Sequence, residues 1–197
     1  MTTRTADPRV LPLIVDRWSP RAFDGTALPA QDLAVIFEAA GLAPSAFNYQ
    51  PWRFLYAVPG DDNWAAFLDI LVPFNQSWAK DAGALVFIVS DEAMRKDDGT
   101  ANPNHSHSFD AGAAWATLAL QATSMGYHTH GMTGIDFAKA RDVLGVPEGW
   151  RVEAAVAIGR QDSPEKLPDS LREREVPSTR KPVGDVAVAG RFANLPG

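Results

Sequence analysis

The chain of 197 residues contains no cysteine. That excludes disulfides, thiolate catalysis and cysteine-bound metals, and it is the usage of a reducing, cytoplasmic setting. Histidine is also scarce: the 4 residues fall in two pairs, His105 with His107 and His128 with His130. No pattern supplying a third ligand accompanies either pair, so no metal site is expected. Positive charge is in deficit, with 18 Lys and Arg against 24 Asp and Glu, a net charge of −6 and a pI near 5.1. This balance argues against nucleic acid and anionic membrane as partners. No apolar run approaches the roughly 20 residues that span a bilayer. The opening MTTRTADPRVLPL has neither a sustained apolar stretch nor a cleavage pattern, so no signal peptide is expected. No Gly-x-Gly-x-x-Gly follows a strand and there is no P-loop, which removes a Rossmann dinucleotide site. No Ser/His/Asp arrangement stands out.

What is present fits one domain with a sizeable core: 46% of the residues are hydrophobic. Pro8 to Trp18 reads as a first helix with Asp7 as N-cap. A second helix begins at Leu28 to Asp32 and runs to about Leu42, with Leu33, Ile36, Phe37 and Ala40 as its apolar stripe. Arg53 to Val58 is a strand, Asn63 to Leu71 a helix, and Ala84 to Ser90 a buried strand. The polar stretch Asp91 to Ser108, with Gly99 and Pro103, reads as a loop or lid. A long helix then runs from His107 or Ser108 to Met125, ended by Gly126. Its many alanines and glycines fit burial on most sides, in a large core or at a dimer interface. A strand over Tyr127 to His130, a turn over Gly131 to Gly134, a helix over Phe137 to Leu144 and a strand over Val152 to Ile158 follow. The alternation gives an α/β or α+β class with a mostly mixed sheet. From Gln161 onward the chain is Pro-rich and charged, and is expected to wrap outside the core.

Two segments carry the chemistry. Ala43 to Phe54, APSAFNYQPWRF, sets Ser45, Asn48 and Gln50 between Pro44 and Pro51. Carboxamides both donate and accept, so such a loop can read a ligand edge that alternates donors and acceptors. Pro51 biases Gln50 toward an extended backbone. The plainer reading is a polar helix-to-strand loop with a buried tryptophan. Upstream, Asp16 to Phe23 brackets Ser19 with Arg17 and Arg21. Arginine suits phosphate because its planar fork donates in pairs.

Together these segments resemble the nitroreductase family of FMN-dependent oxidoreductases, which carry R-x-S-x-[RK]-x-F and then A-P-S-x-x-N-x-Q-P-W. The resemblance runs along nearly the whole chain. It implies an α+β fold with a mixed sheet flanked by helices: one FMN-binding domain over 1–197, dimeric, with an extended C-terminal segment. It places Arg17, Ser19 and Arg180 on the FMN phosphate side, with Trp18 alongside. Arg21 falls at the flavin pyrimidine side, where a cation stabilises the anionic reduced form. Asn75 falls near the pyrimidine edge, and Pro44, Ser45, Asn48 and Gln50 form the amide-rich wall. Met132, Thr133 and Gly134 form the turn against one flavin face, where glycine permits close approach.

Plainer roles stand beside these: a solvated tail for Arg180, a salt bridge from Arg21 to Asp24 or Asp16, and a helix N-cap for Asn75. Two positions depart from the family pattern. Trp78 stands where some members carry lysine, and Thr133 where some carry an acid. The implied activity is hydride transfer from NAD(P)H, through bound FMN, to a small electron-poor acceptor such as a nitroaromatic or quinone. No protein side chain is assigned as catalytic acid or base. The alternatives are reductive dehalogenation, consumption of the flavin itself, or flavin storage with little turnover. The implied partner is a second copy of the chain, in the cytoplasm, with no nucleic acid and no membrane.

Overall fold

A computed structural model describes residues 4–194. The outermost residues of the unit expected over 1–197, and the first three of the stretch read for a leader, lie outside it. Strand β2, Ala84–Asp91, is buried at all eight positions, so it is covered on both faces. It pairs with β1, Trp52–Ala57, on one side and with β6, Trp150–Gly159, on the other. Strand β5, His128–Met132, closes the far edge, giving the order β1-β2-β6-β5. Every one of these pairings is antiparallel, where a mixed sheet was expected. The fold is α+β.

Alternate side chains of the sheet feed two cores, as the two-residue period of a strand requires. On one face Ala84, Val86 and Ile88 of β2 meet Leu33, Ile36 and Ala40 of α2, Ala30–Gly41, and Ala114, Leu118 and Ala122 of α5, His107–Ser124. The small side chains of α5 let its backbone lie close to the sheet. Gly126, at φ +81°, takes the left-handed conformation that ends the helix. On the other face Leu85, Phe87 and Val89 meet Phe67 and Ile70 of α3, Trp64–Ile70, with Trp78 and Ala79 of α4, Pro73–Ala79. Ala140 of α6, Phe137–Val143, completes that layer.

Several expectations are corrected. The first helix, α1, covers only Pro12–Asp16; the Asp7 carboxylate and carbonyl instead close a turn on Arg9 and Val10. The stretch expected as a loop carries a hairpin, β3 at Ala93–Arg95 with β4 at Ala101–Pro103. Gly131 and Met132 belong to β5, so the turn proper is shorter than expected. After β6 come the one-turn helices α7, Asp169–Arg172, and α8, Val183–Val186. Residues 178–194 are exposed throughout.

Candidate functional site

Arg17 is the C-cap residue of α1, where the chain turns from helix to extended backbone. Its half-buried guanidinium reaches the Ser19 hydroxyl at 3.4 Å. Two further arginines converge on it from the chain ends. Arg4 donates to the Val15 and Arg17 carbonyls and to the Ser178 carbonyl, and so ties the two ends together. Arg180 folds onto the carbonyls of Ser178 and Thr179. Burial, then the charges of Arg4 and Arg180, pull the Arg17 pKa below its ordinary value. Arg4 is lowered by burial and by Arg180. A cavity of about 620 Å³ opens between these ends, lined by Arg4, Thr5, Asp7, Arg180 and Lys181 among others. Cations that repel one another beside a cavity suit a polyanion, which relieves the repulsion. Sequence reasoning missed Arg4, which stands in no motif.

The next residues lock onto β5. Trp18 is buried and meets His128 edge-on, with ring centroids 6.2 Å apart. His130 Nδ1 bonds the Pro20 carbonyl at 2.9 Å, so that nitrogen carries the hydrogen. The His130 ring packs on Trp78 at 4.7 Å. Arg21 does not pair with Asp24 or Asp16 as the plainer reading had it; its Nη1 stands 3.9 Å from Glu175 Oε2. Burial and the neighbouring Arg174 lower the Arg21 pKa, and Glu175 opposes them. Asn75 is buried inside α4 and is not its N-cap, which is Val72. Its Nδ2 donates to the Gly134 carbonyl at 3.0 Å. A Cβ at Gly134 would stand 2.5 Å from that Nδ2, so any larger residue there would displace the Asn75 amide. Met132 is buried while Thr133 is exposed. Arg17, Ser19, Arg21, Asn75 and Gly134 thus gather around the β5 edge.

The amide-rich loop is elsewhere. Pro44, Asn48 and Gln50 are exposed, and Ser45 is half-buried, just before β1 at the opposite edge of the sheet. Three strand spacings of about 4.8 Å separate those edges by roughly 14 Å. Phe47, Asn48 and Gln50 all have positive φ, between 53° and 54°. Gln50 is therefore left-handed and not extended, held by its N–H on Ser45 Oγ and its side-chain amide on the Asn48 carbonyl, both at 3.0 Å. Three such residues within four positions store of order 1–3 kcal/mol each, the kind of strain found at functional sites.

Ser90, His107 and Glu153 form a polar cluster that sequence reasoning did not single out. The Ser90 hydroxyl and a Glu153 oxygen both face His107 Nδ1, at 2.8 and 3.4 Å, so they do not form a nucleophile relay through the two ring nitrogens. Among the described residues no group of three or more His, Asp or Glu is placed to hold a metal. No described helix is long and apolar enough to cross a membrane.

The comparisons with known proteins fall on the same architecture. A solved structure described as an oxidoreductase containing FMN is 49% identical, superposes with a TM-score of 0.95, and is covered to 97% while covering 98% of this chain. An uncharacterized 15.4 kDa protein of Mycolicibacterium smegmatis is 34% identical over 125 residues, 63% of this chain and 81% of its own length. The CLA biosynthesis enone reductase of Lactiplantibacillus plantarum is 27% identical over 182 residues, 75% of this chain and 83% of its own. The model of the nitroreductase family matches residues 14–66 and 61–160. This chain belongs to the nitroreductase family.

Proposed function

We propose that the chain is an FMN-dependent oxidoreductase that takes hydride from NAD(P)H and passes it to a small electron-poor acceptor. The observation that carries this is the clustering of Arg4, Arg17 and Arg180 from both ends of an acidic chain, with Arg4 and Arg180 lining one cavity and Arg17 bonded to Ser19. The similarity to an FMN-containing oxidoreductase at 49% identity supports it. Bound FMN would supply the ring that accepts and returns hydride.

The chain's own residues then have distinct tasks. Arg17 and Arg180, joined by Arg4, offset the phosphate charge, and Ser19 adds a hydroxyl. Arg21 presents a cation to the pyrimidine side. Asn75 and Gly134, bonded to each other, hold the edge and face of the pocket, flanked by Met132 and the exposed Thr133. With no dinucleotide motif in the chain, nicotinamide and acceptor take turns over the same surface. Nitroaromatics and quinones are the proposed acceptors. The enone reductase relative adds conjugated enones to the same electron-poor class.

The loop with Pro44, Ser45, Asn48 and Gln50 stands at the sheet edge opposite the one the arginines flank, so one subunit does not set them side by side. A homodimer resolves this, each copy lending its loop to the other's cofactor. The working unit is thus a pair of single-domain chains over 1–197, which its cysteine-free composition suits to the cytoplasm.

The test is a spectrum of the purified protein followed by anaerobic NADH or NADPH. Flavin-like absorbance that bleaches is expected. Arg17→Ala with Arg180→Ala removes two charge-assisted contacts worth about 1.5–3 kcal/mol each, and is expected to yield mostly apo protein. Full flavin occupancy in that variant refutes the phosphate assignment.

A further inference from the structure

Glu175 lies in the C-terminal segment just past α7, yet its side chain is fully buried. Its Oε1 accepts the backbone N–H of Arg21 at 2.6 Å and of Ala22 at 2.8 Å. Its Oε2 has no hydrogen-bond partner among the described residues. That oxygen stands 3.9 Å from Arg21 Nη1, on a side chain that is itself only 17% exposed. Leaving a buried acceptor unpaired costs a fold about 1–3 kcal/mol, and more for a charged group. A carboxamide in the same place would satisfy both N–H groups without burying a charge. What the acid adds is negative charge, and the cation it faces is Arg21.

We infer that Glu175 is a positioning residue that sets how much positive charge Arg21 presents to the cofactor. Through Oε1 it fixes the backbone from which Arg21 projects, and through Oε2 it offsets part of the guanidinium charge. The inference rests on the FMN reading above, which puts Arg21 at the pyrimidine side. Uptake of two electrons and one proton leaves negative charge on that side of the ring. An uncompensated Arg21 favours the reduced form, and Glu175 moderates it.

The experiment is a dye-equilibrated redox titration of the flavin-loaded protein at matched FMN occupancy, with melting curves to confirm folding. Glu175→Gln keeps a carbonyl for the two N–H groups and removes the charge. At a given potential its reduced-to-oxidised ratio is expected to rise about tenfold, which is about 30 mV for a two-electron couple. Arg21→Gln is expected to move the ratio the opposite way. With no guanidinium beside it, the side chain at 175 has no cation left to position or offset. Adding Glu175→Gln to Arg21→Gln should therefore change the ratio by less than about threefold. An unchanged ratio in Glu175→Gln, or the same shift in both backgrounds, overturns the inference while leaving the FMN reading intact. If Glu175→Gln does not fold, Arg21→Gln decides alone, and a raised or unchanged ratio overturns the inference. A wild-type protein that takes up no FMN overturns both.

Discussion

At His130, burial lowers the imidazole pKa to about 4, aided by the Arg21 charge and opposed by backbone bonds to Pro20 and Ser19. The folded state holds this ring neutral, while the unfolded chain binds a proton near pH 6.5. Its contribution to stability is therefore complete above pH 6.5 and is lost as pH falls toward 4. The gap is worth about 3 kcal/mol. Between pH 7 and pH 4 the wild type should lose about 3 kcal/mol more than His130→Gln, read by urea denaturation at both pH values. His128, also lowered by burial, titrates in both proteins and cancels. Parallel losses in the two proteins would mean the ring is protonated in the fold. Legibility at this scale follows distance along the chain. Arg17, Ser19 and Asn75 were singled out because they sit in recognisable spacings. Arg4 and Glu175 were not, because their contacts reach across 174 and 154 residues and no local pattern marks either end. The same limit turned the partner of Arg21 into Asp24 or Asp16, the acids nearest in sequence.

Among the elements, those with one dominant physical signal were readable. An unbroken apolar run marked β2, and the small-residue helix α5 ends where Gly126 permits a left-handed turn. Elements decided by side-chain bonds were not. Gln50 defies the bias of Pro51 because Ser45 and Asn48 hold its backbone and side chain. The β3–β4 hairpin has no apolar pattern to announce it, since β4 is wholly exposed. It is anchored instead by Tyr49, whose hydroxyl lies 2.9 Å from both the Asp91 carboxylate and the Ala93 carbonyl and accepts from the Arg95 N–H at 3.0 Å. One phenol thereby couples the hairpin to the loop carrying Asn48 and Gln50. Tyr49→Phe should cost about 1–3 kcal/mol locally. Amides of 93–103 should then exchange faster, while those of β2 and α5 stay protected. Unaltered exchange over 93–103 would mean the hairpin is held by something other than Tyr49.

For the whole molecule, the question is what covers its exposed apolar surface. Phe47 is 90% exposed and Phe109 82%, and the Ala46 N–H bond to Asp110 at 3.1 Å brings their two segments together. Leu42 nearby in sequence is 81% exposed, and the tail adds Phe192 at 87%. Phe47 also sits at a positive φ, so in a lone subunit it incurs both backbone strain and contact with water. A second copy that buries this region and brings its loop to the arginines would offset both. The assembly is expected to be an obligate dimer with an interface above about 2,000 Å² in total. Phe47→Asp puts an unpaired carboxylate into that interface, at a cost of several kcal/mol if it remains charged. Sedimentation velocity at micromolar concentration, with absorbance read at the flavin band, follows assembly and cofactor together. The wild type should run as a flavin-loaded dimer. Phe47→Asp should shift toward monomer and lose flavin in the same measure, as the proposed supply of the amide wall by the partner requires. A monomer that keeps its flavin would show that one subunit completes the site alone, and the opposite-edge geometry would then need another explanation.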